Sequence, residues 1–541
     1  MLRLLPIGLS LLLLVGCYQQ PNVITHVASP VVKPDASDEF FAADIRHLEL
    51  SVKPKDAEKI NRDNRPYVPC TLIEKDAAGK VLAEYSDVAI KLKGAAGSFQ
   101  GFQERPAVTV RTDKYVQGQL FHALTKFHLN NSVQDDTYLH EQLCAELFAQ
   151  AGVPATRVSH ARVWLNGRDV GLYVLKEGFD QRFLARHFTH ANGNLYDGGF
   201  CTDIDTDLEK DMGDGPNDFS DLVALREACQ IADPAARWQR LEELVDIDAL
   251  VSFVAMELMT CHWDGYSRNR NNYRVYFDPG THKVHLFPHG MDQMFGDPSF
   301  SIVDAPEAML AHSVLENPLW RQRYENRVRE LLPLFSPPDK LLARLDALHA
   351  RLRPTLAVMD ENFANEHDQR VRELKDRIIA RAQSLEEQKL FPAPKPSEFD
   401  ERGMLPLTDW RPAAEVDDAN LEAVDLVEDK QALRIACGPS GNCIASWRTN
   451  VLLSAGKYRF VAKARANEVV ALADDRGAGA GVRISGASRE NRLEGTTDWT
   501  DLNFEFTVDE ETRSVELVSE LRATAGEVQF ELGSMRLVRL P

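Results

Sequence analysis

The chain has 541 residues, enough for two to four domains of ordinary size. Hydrophobic residues make up 44% and charged residues 27%, which excludes global disorder, because that apolar mass supports a sizeable core. The net charge of −20 argues against a nucleic acid as the main partner, since phosphate is repelled.

Residues 1–16, MLRLLPIGLSLLLLVG, have a basic start at Arg3 and an apolar run too short for a comfortable membrane span. Leu14-Val15-Gly16-Cys17 has the form of a bacterial lipobox. The expectation is a lipoprotein signal peptide over 1–16, acylation of Cys17, export, and lipid anchoring to a membrane of the bacterial cell envelope. An ordinary secretory signal that happens to contain a Cys is the alternative. Residues 17–40 hold three Pro and little periodicity, and suit a tether.

Strands are expected at 45–53, 68–74, 86–94 and 106–113, where apolar residues alternate. GAAGSF (94–99) is a Gly-rich bend. A helix is expected over about 137–152, with Leu139, Leu143, Leu147 and Phe148 on one face and Gly152 as its stop. ARVWLNGRDVGLYVLKE (161–177) reads as a hairpin turning at Asn166-Gly167. From about 178 the pattern becomes mostly helical, notably at 218–232, 235–261 and 303–388. Asp203, Asp205 and Asp207 are spaced like the start of an EF-hand loop, but Leu208 and Asp214 stand where Gly and Glu belong, so a solvated insertion is the preferred reading.

The stretch 247–296 carries the chemistry. An apolar helix, DIDALVSFVAMELMT, delivers His262-Trp263-Asp264 and, five residues after the Asp, Asn269. Two alternating strands follow, joined at Asp278-Pro279-Gly280, and the second leads to Asp292. Phosphoryl transfer uses such parts: one carboxylate takes the proton of the attacking hydroxyl, while an amide oxygen and a second carboxylate hold Mg²⁺. Asp264 fits the first role, and Asn269 and Asp292 fit the second. The bland alternative is a loop in which Asp264 caps turns and Asn269 and Asn272 satisfy backbone groups.

Residues 391–402 contain three Pro and read as a linker. Beyond it, short alternating strands such as KYRFVAKARA (457–466), LNFEFTV (502–508) and SMRLVRL (534–540) predict an all-β sandwich over 403–541. Of the seven Cys after Cys17, Cys437 and Cys443 flank GPSGN and are the pair expected to form a disulfide.

Several of these segments together resemble the CotH kinase family, an atypical protein-kinase-like family named for a spore-coat protein. They are IKLKGAAGSF (90–99), KFHLNNSVQDDTYLHEQL (126–143), AGVPATRVSHARVWLNGRDVGLYVLKEGFDQRFL (151–184), GNLYDGG (193–199), HWDGYSRNRNNYRVY (262–276) and PHGMDQMFG (288–296). The resemblance covers about 44–390 and implies an α+β, bilobal kinase-like domain over 41–390, with a β-rich N-lobe to about 177 and a mostly helical C-lobe. It implies ATP as donor with Mg²⁺ or Mn²⁺, Asp264 as base, Asp292 as metal ligand and Asn269 as the second ligand, with Asn271 and Asn272 as alternatives. Glu141 resembles the Glu that pairs with a phosphate-contacting cation. Lys93 is the first candidate for that cation and Arg105 the second. Gly94 and Gly97 would cover the phosphates in the bend, and Glu177 would lie by the adenine, with a surface salt-bridge partner as the alternative role. Many family members read W-D-x-D where this chain has His289-Gly290-Met291-Asp292, so one carboxylate is missing. The tail is similar to jelly-roll carbohydrate-binding modules, with Trp447 or Trp499 as sugar-stacking candidates; the bland alternative is that both are core, Trp499 before Trp447.

The expected function is an exported, lipid-anchored kinase-like enzyme moving phosphate from ATP to a protein, a glycan or another hydroxyl-bearing substrate. The alternative is a catalytically impaired surface-binding protein, a pseudokinase joined to a carbohydrate- or wall-binding β-sandwich. Transfer of a nucleotidyl group is a third reading.

Overall fold

A computed structural model describes residues 33–95, 97–215, 217–388, 396–414, 419–427, 430–472 and 477–541. The expected signal peptide, Cys17, most of the tether and part of the 391–402 linker lie outside these residues.

Seven strands form a closed barrel: β1 (Arg46–Ser51), β2 (Val68–Lys75), β3 (Val81–Lys93), β4 (Ala107–Arg111), β5 (Lys126–Asn130), β6 (Val158–Leu165) and β7 (Arg168–Glu177). Their order is β1-β2-β3-β4-β5-β7-β6, and β6 returns to β1 as a parallel neighbour, with Ala161 opposite Arg46. Closure leaves no unpaired edge. Period-two burial drives it: in β2, Val68, Cys70, Leu72 and Glu74 are buried while the residues between them are half-exposed. Leu50, Leu72, Ile90, Val110 and Leu129 share the barrel core. The β6–β7 hairpin turns at Asn166 (φ 49°) and Gly167 (φ 78°), the left-handed pair that a two-residue hairpin needs.

A helix, His140–Gln150, follows β5 and buries Leu143, Leu147 and Phe148 in the central core. It begins later than expected because Asp135 organises a turn first. Its Oδ1 accepts the Thr137 N–H at 2.9 Å, and its Oδ2 accepts the His140 N–H at 3.0 Å.

The second region is helical as expected, with Ile247–Met259 buried along nearly its whole length. Two long helices, Asp339–Met359 and Glu361–Glu387, pack as a hairpin. The region also contains a four-stranded sheet, of which the sequence reading expected the hairpin joined at Asp278-Pro279-Gly280 but not the other two strands. Its strands are β8 (Leu195–Asp197), β9 (Glu209–Met212), β10 (Tyr273–Asp278) and β11 (Lys283–Pro288), in the order β11-β10-β8-β9. β8 and β9 are too short and polar to show alternation. The calcium reading fails with them. Asp203 is buried and accepts hydrogen bonds from Tyr266 Oη (3.0 Å), Ile204 N (2.7 Å) and Met309 N (2.9 Å), so its oxygens are taken.

From Met404 onward every described element is a strand, in one seven-stranded sheet. Residues 443–454 pair with 523–512, with partner numbers falling as the strand's own rise. Ile435, Phe460, Leu517 and Phe530 belong to one apolar cluster in this part. Trp447 is core, donating its indole N–H to the Arg434 carbonyl at 3.2 Å, whereas Trp499 is half-exposed with the Arg465 guanidinium 4.9 Å from its ring centre. Cys437 donates from its thiol to the Ala523 carbonyl at 3.7 Å, and Cys443 sits opposite Ala523 in the register. No disulfide joins the two, so the expected bridge is absent from this structure. None of the described helices is long and apolar enough to cross a membrane.

Candidate active site

A cleft of about 580 Å³ lies between the barrel and the second region. The barrel lines it with Lys91, Lys93, Lys126 and His128; the other wall carries Asp264, Arg274 and Asp292. The architecture brings the two together. β3 and β5 are paired barrel neighbours of β4, while Asp264 and Asp292 bracket the β10–β11 hairpin.

The Asp264 loop is shaped from beneath. Glu257, at the end of the buried helix and fully buried itself, accepts the N–H groups of Tyr266 (2.9 Å) and Ser267 (2.8 Å) and the Ser267 hydroxyl (2.5 Å). His262 Nδ1 lies 3.4 Å from the same carboxylate. Cys261, Arg270 and Asn272 all have φ between 51° and 58°, left-handed backbone that costs on the order of 1–3 kcal/mol at a residue other than glycine. Such strain persists where surrounding bonds over-determine it, as Glu257 does here.

Three asparagines hold the Asp264 carboxylate. Asn269 donates to Oδ1 at 2.5 Å, Asn271 to both oxygens at 3.2 Å, and Asn272 to Oδ2 at 2.8 Å. Asn271 and Asn272 line the cleft; Asn269 does not. The assignment of Asn269 as the second metal ligand therefore gives way to its neighbours. The helical turn Tyr266–Asn269 carries Asn269 off the wall, a displacement that linear spacing cannot show.

Asp292 is gripped through its backbone. The helix His140–Gln150 presents Glu141, whose Oε1 accepts the Met291 N–H at 3.0 Å, and His140, whose Nδ1 lies 2.9 Å from the Asp292 carbonyl oxygen. The Asp292 carboxyl is pushed up to about 6 by burial and by the negative charges of Glu141 and Asp135, with Lys176 opposing. Carboxylates crowded this way are relieved by a cation.

The cation paired with Glu141 is Lys176, at 2.5 Å and with both side chains 2% exposed or less. This corrects the sequence reading. Lys93 lines the cleft but gives its ammonium to Asn130 Oδ1 at 2.7 Å. Arg105 lies outside the cleft lining, donating to the carbonyls of Val170 (3.1 Å) and Leu172 (2.5 Å) and to Tyr138 Oη (3.0 Å). Glu177 is also outside it, its oxygens taken by Arg157 (2.6 Å) and Arg186 (2.8 Å). That buried clamp replaces the expected place beside adenine. Gly94 lines the cleft with φ 110° and Phe99 backbone 3.1 Å from where a Cβ would sit; Gly97 does not line it. Lys176 was missed, although a signal existed: it is an ionisable residue at the end of the apolar run GLYVL, a run buried on both faces.

Lys91, Lys93, Lys126 and the more deeply set Lys176 make the barrel wall cationic in a chain of net charge −20, and Arg274 adds a positive charge on the opposite wall. Burial pulls Lys93 down to about 7, with Lys176 adding to the fall and Glu141 and Asp292 opposing it. His128 and His289 are held well below their ordinary value by burial and by the surrounding cations. Arg274 carries the counter-charges of Asp197 at 2.7 Å and Asp211 at 3.5 Å, as Lys176 carries that of Glu141.

Gly290 explains the missing carboxylate. Its φ is 54°, and a Cβ there would lie 2.2 Å from Asn272 Oδ1. The amide of Asn272 fills the room that a side chain at 290 needs.

A family model described as CotH kinase protein matches residues 91–385, more than half of the chain and every cleft residue from Lys91 to Asp292. This chain belongs to the CotH kinase protein family. Its relatives include Invasin CotH7 of Rhizopus delemar, 24% identical over 265 residues, 44% of each chain. Inner spore coat protein H of Bacillus subtilis is 21% identical over 345 residues, 59% of this chain and 89% of that one. The match thus spans less than half of the Rhizopus relative's length. Solved structures overlap this CotH-family chain over a quarter of its length. One is a carbohydrate-binding module titled TmCBM61 in complex with β-1,4-galactotriose (14% identity, TM-score 0.19, 25% of this chain and 91% of that one). Another is titled CBM4 structure and function (16% identity, TM-score 0.18, 26% and 96%). At those scores the overlaps carry no argument about a ligand.

Proposed function

We propose that this protein is an ATP-dependent phosphotransferase, with the barrel and the helical region as the two lobes of a kinase-like fold. The observation that carries the reading is one cleft in which the barrel lysines face an acidic wall that includes Asp264 and Asp292 beside Asp197, Glu209 and Asp211. Lys93, Lys126 and Arg274 suit the phosphates of a nucleotide. Asp292 and the amide oxygens of Asn271 and Asn272 are hard donors that suit Mg²⁺ or Mn²⁺, and the crowded charge at Asp292 fits a cation. The metal supplies charge neutralisation on the phosphates when bound. Asp264, oriented by its asparagines, accepts the proton of the attacking hydroxyl. Lys176 holds Glu141, and Glu141 holds the Met291 N–H, so that Asp292 stays at the wall.

Spore coat and invasin relatives support a place at a surface. Export through the 1–16 segment with acylation of Cys17 is part of this proposal, as is a protein or glycan substrate. Gly290 supports a second reading, nucleotide binding without transfer, because it leaves one carboxylate fewer beside Asp292.

The test is a thermal-shift titration with ATP, with and without Mg²⁺ or Mn²⁺, beside Asp292→Ala. A ligand at 100 times its dissociation constant stabilises by about 2.7 kcal/mol. A metal-dependent rise lost in the variant is expected. A chain that shows no rise with either metal refutes the reading. A rise without any transfer to added hydroxyl acceptors selects the second reading.

A further inference from the structure

The hairpin of helices Asp339–Met359 and Glu361–Glu387 carries a second cluster of ligand-type side chains. His349, His367 and Asp368 each place one such atom within 4.8 Å of the others. His349 Nε2 and Asp368 Oδ1 meet across the hairpin at 2.9 Å, and the two imidazole rings lie 5.2 Å apart between centres.

His367 is the informative member. It is 1% exposed, and its Nε2 lies 2.9 Å from the Thr137 carbonyl oxygen, so that nitrogen carries the proton. Its Nδ1 therefore presents a lone pair. That atom is buried and has no hydrogen-bond partner among the described residues. One imidazole nitrogen fixed by a backbone carbonyl and the other bare, in a cluster that also holds a second imidazole and a carboxylate, is how proteins orient a histidine ligand. Arg353 Nε donates to the far oxygen of Asp368 at 3.1 Å, which leaves the near oxygen to the histidines. Glu361, 2.8 Å from Arg353, offsets the guanidinium charge.

We propose that His349, His367 and Asp368 bind a divalent transition-metal ion of the zinc class. Two imidazoles and one carboxylate suit zinc, cobalt or nickel better than Mg²⁺ or Ca²⁺, which prefer all-oxygen sets. Three protein ligands leave a fourth position to water. The ion takes the place of the proton between His349 and Asp368, and that proton passes to solvent.

The site is tied to the cleft. Thr137, whose carbonyl oxygen faces His367, donates from its N–H (2.9 Å) and hydroxyl (2.6 Å) to Asp135, which also accepts the His140 N–H. His140 in turn reaches the Asp292 carbonyl. A bound ion fixes the His367 ring and with it the turn that starts the Glu141 helix.

The experiment titrates the full-length protein, stripped with a chelator, with Co²⁺ and then Zn²⁺. It is run without nucleotide and in an Asp292→Ala background, so the cleft contributes no metal signal and its failure leaves the nucleotide reading untouched. One equivalent of Co²⁺ is expected, with the visible absorption of a four-coordinate nitrogen and oxygen site, displaced by Zn²⁺ with a rise in Tm. His349→Ala and Asp368→Asn, both at partly exposed positions that tolerate change, are expected to weaken binding by about 100-fold or more. No binding in the parent, or equal affinity in both variants, overturns the proposal.

Discussion

Asp292 combines two demands that conflict in the absence of a ligand. Its carboxyl is held up to about 6 by burial and by Glu141 and Asp135, against 3.8 for an ordinary aspartate. The folded state therefore binds more protons between those values. The stability this confers is complete below about pH 4 and is lost as pH rises through 6. At neutral pH the ionised side chain costs stability. Asp292→Asn is expected to raise the unfolding free energy of the ligand-free protein by about 1–3 kcal/mol at pH 7.5, and by much less at pH 4.5. Urea titrations at the two pH values check this, and an equal effect at both would place the cost elsewhere. The same variant is expected to lose metal affinity. Gly290 shows the same economy of space, since its left-handed backbone and the Asn272 amide exclude any side chain there.

At the scale of elements, the Lys176–Glu141 pair links β7 of the barrel to the helix that grips Asp292. Both groups are buried, so removing one leaves the other charged and desolvated. Lys176→Met is expected to cost about 3–5 kcal/mol in urea unfolding. Adding Glu141→Gln removes the stranded charge while keeping an oxygen for the Met291 N–H, and is expected to recover most of that loss. ATP binding should stay weak in both. If the double variant is no more stable than the single one, the pair acts through packing and not through charge. Glu257 does comparable work one layer down, where its carboxylate shapes the Asp264 loop without touching the cleft.

For the whole molecule, the β-strand tail is joined to the helical region by a charged contact. Arg448 reaches Asp233, the N-cap of helix Pro234–Leu244, at 2.9 Å and Glu516 at 3.0 Å. Burial and the nearby Asp233 push Glu516 up to about 7, with Arg448 opposing. Asp233, despite its own burial, is lowered to about 2 by the hydrogen bond from Glu516 together with Ser485 and Arg448. Glu516 is thus the member of the pair that keeps its proton below about pH 7. Unfolded, Glu516 titrates near 4.5. Its contribution is present below that value and is lost as pH rises through 7. The joint is expected to weaken by about 1–3 kcal/mol between pH 6 and pH 8.5, read by calorimetry as a lower transition for the tail. Glu516→Gln is expected to flatten the dependence, and an unchanged slope in that variant would rule the contact out as its source.

What the sequence determined by itself is whatever depends on neighbours along the chain. The Asn166-Gly167 turn, the amphipathic run over Leu143, Leu147 and Phe148, the buried helix before Asp264, and the order of Asp264, hairpin and Asp292 are all local patterns, and each appears in the structure. Several motifs in one order also carried the family. The tertiary structure alone decided which cation meets Glu141, because Lys176 and Lys93 lie on strands, and Arg105 in the loop before one, whose inward faces are set only when the barrel closes. It decided which asparagine reaches the wall, because one helical turn rotates Asn269 away and leaves Asn271 and Asn272 facing the cleft. It also joined β8 and β9 to the β10–β11 hairpin and set Glu177 between two arginines. Pairings between residues far apart in the chain follow from packing, and packing leaves no periodic mark on a short polar segment.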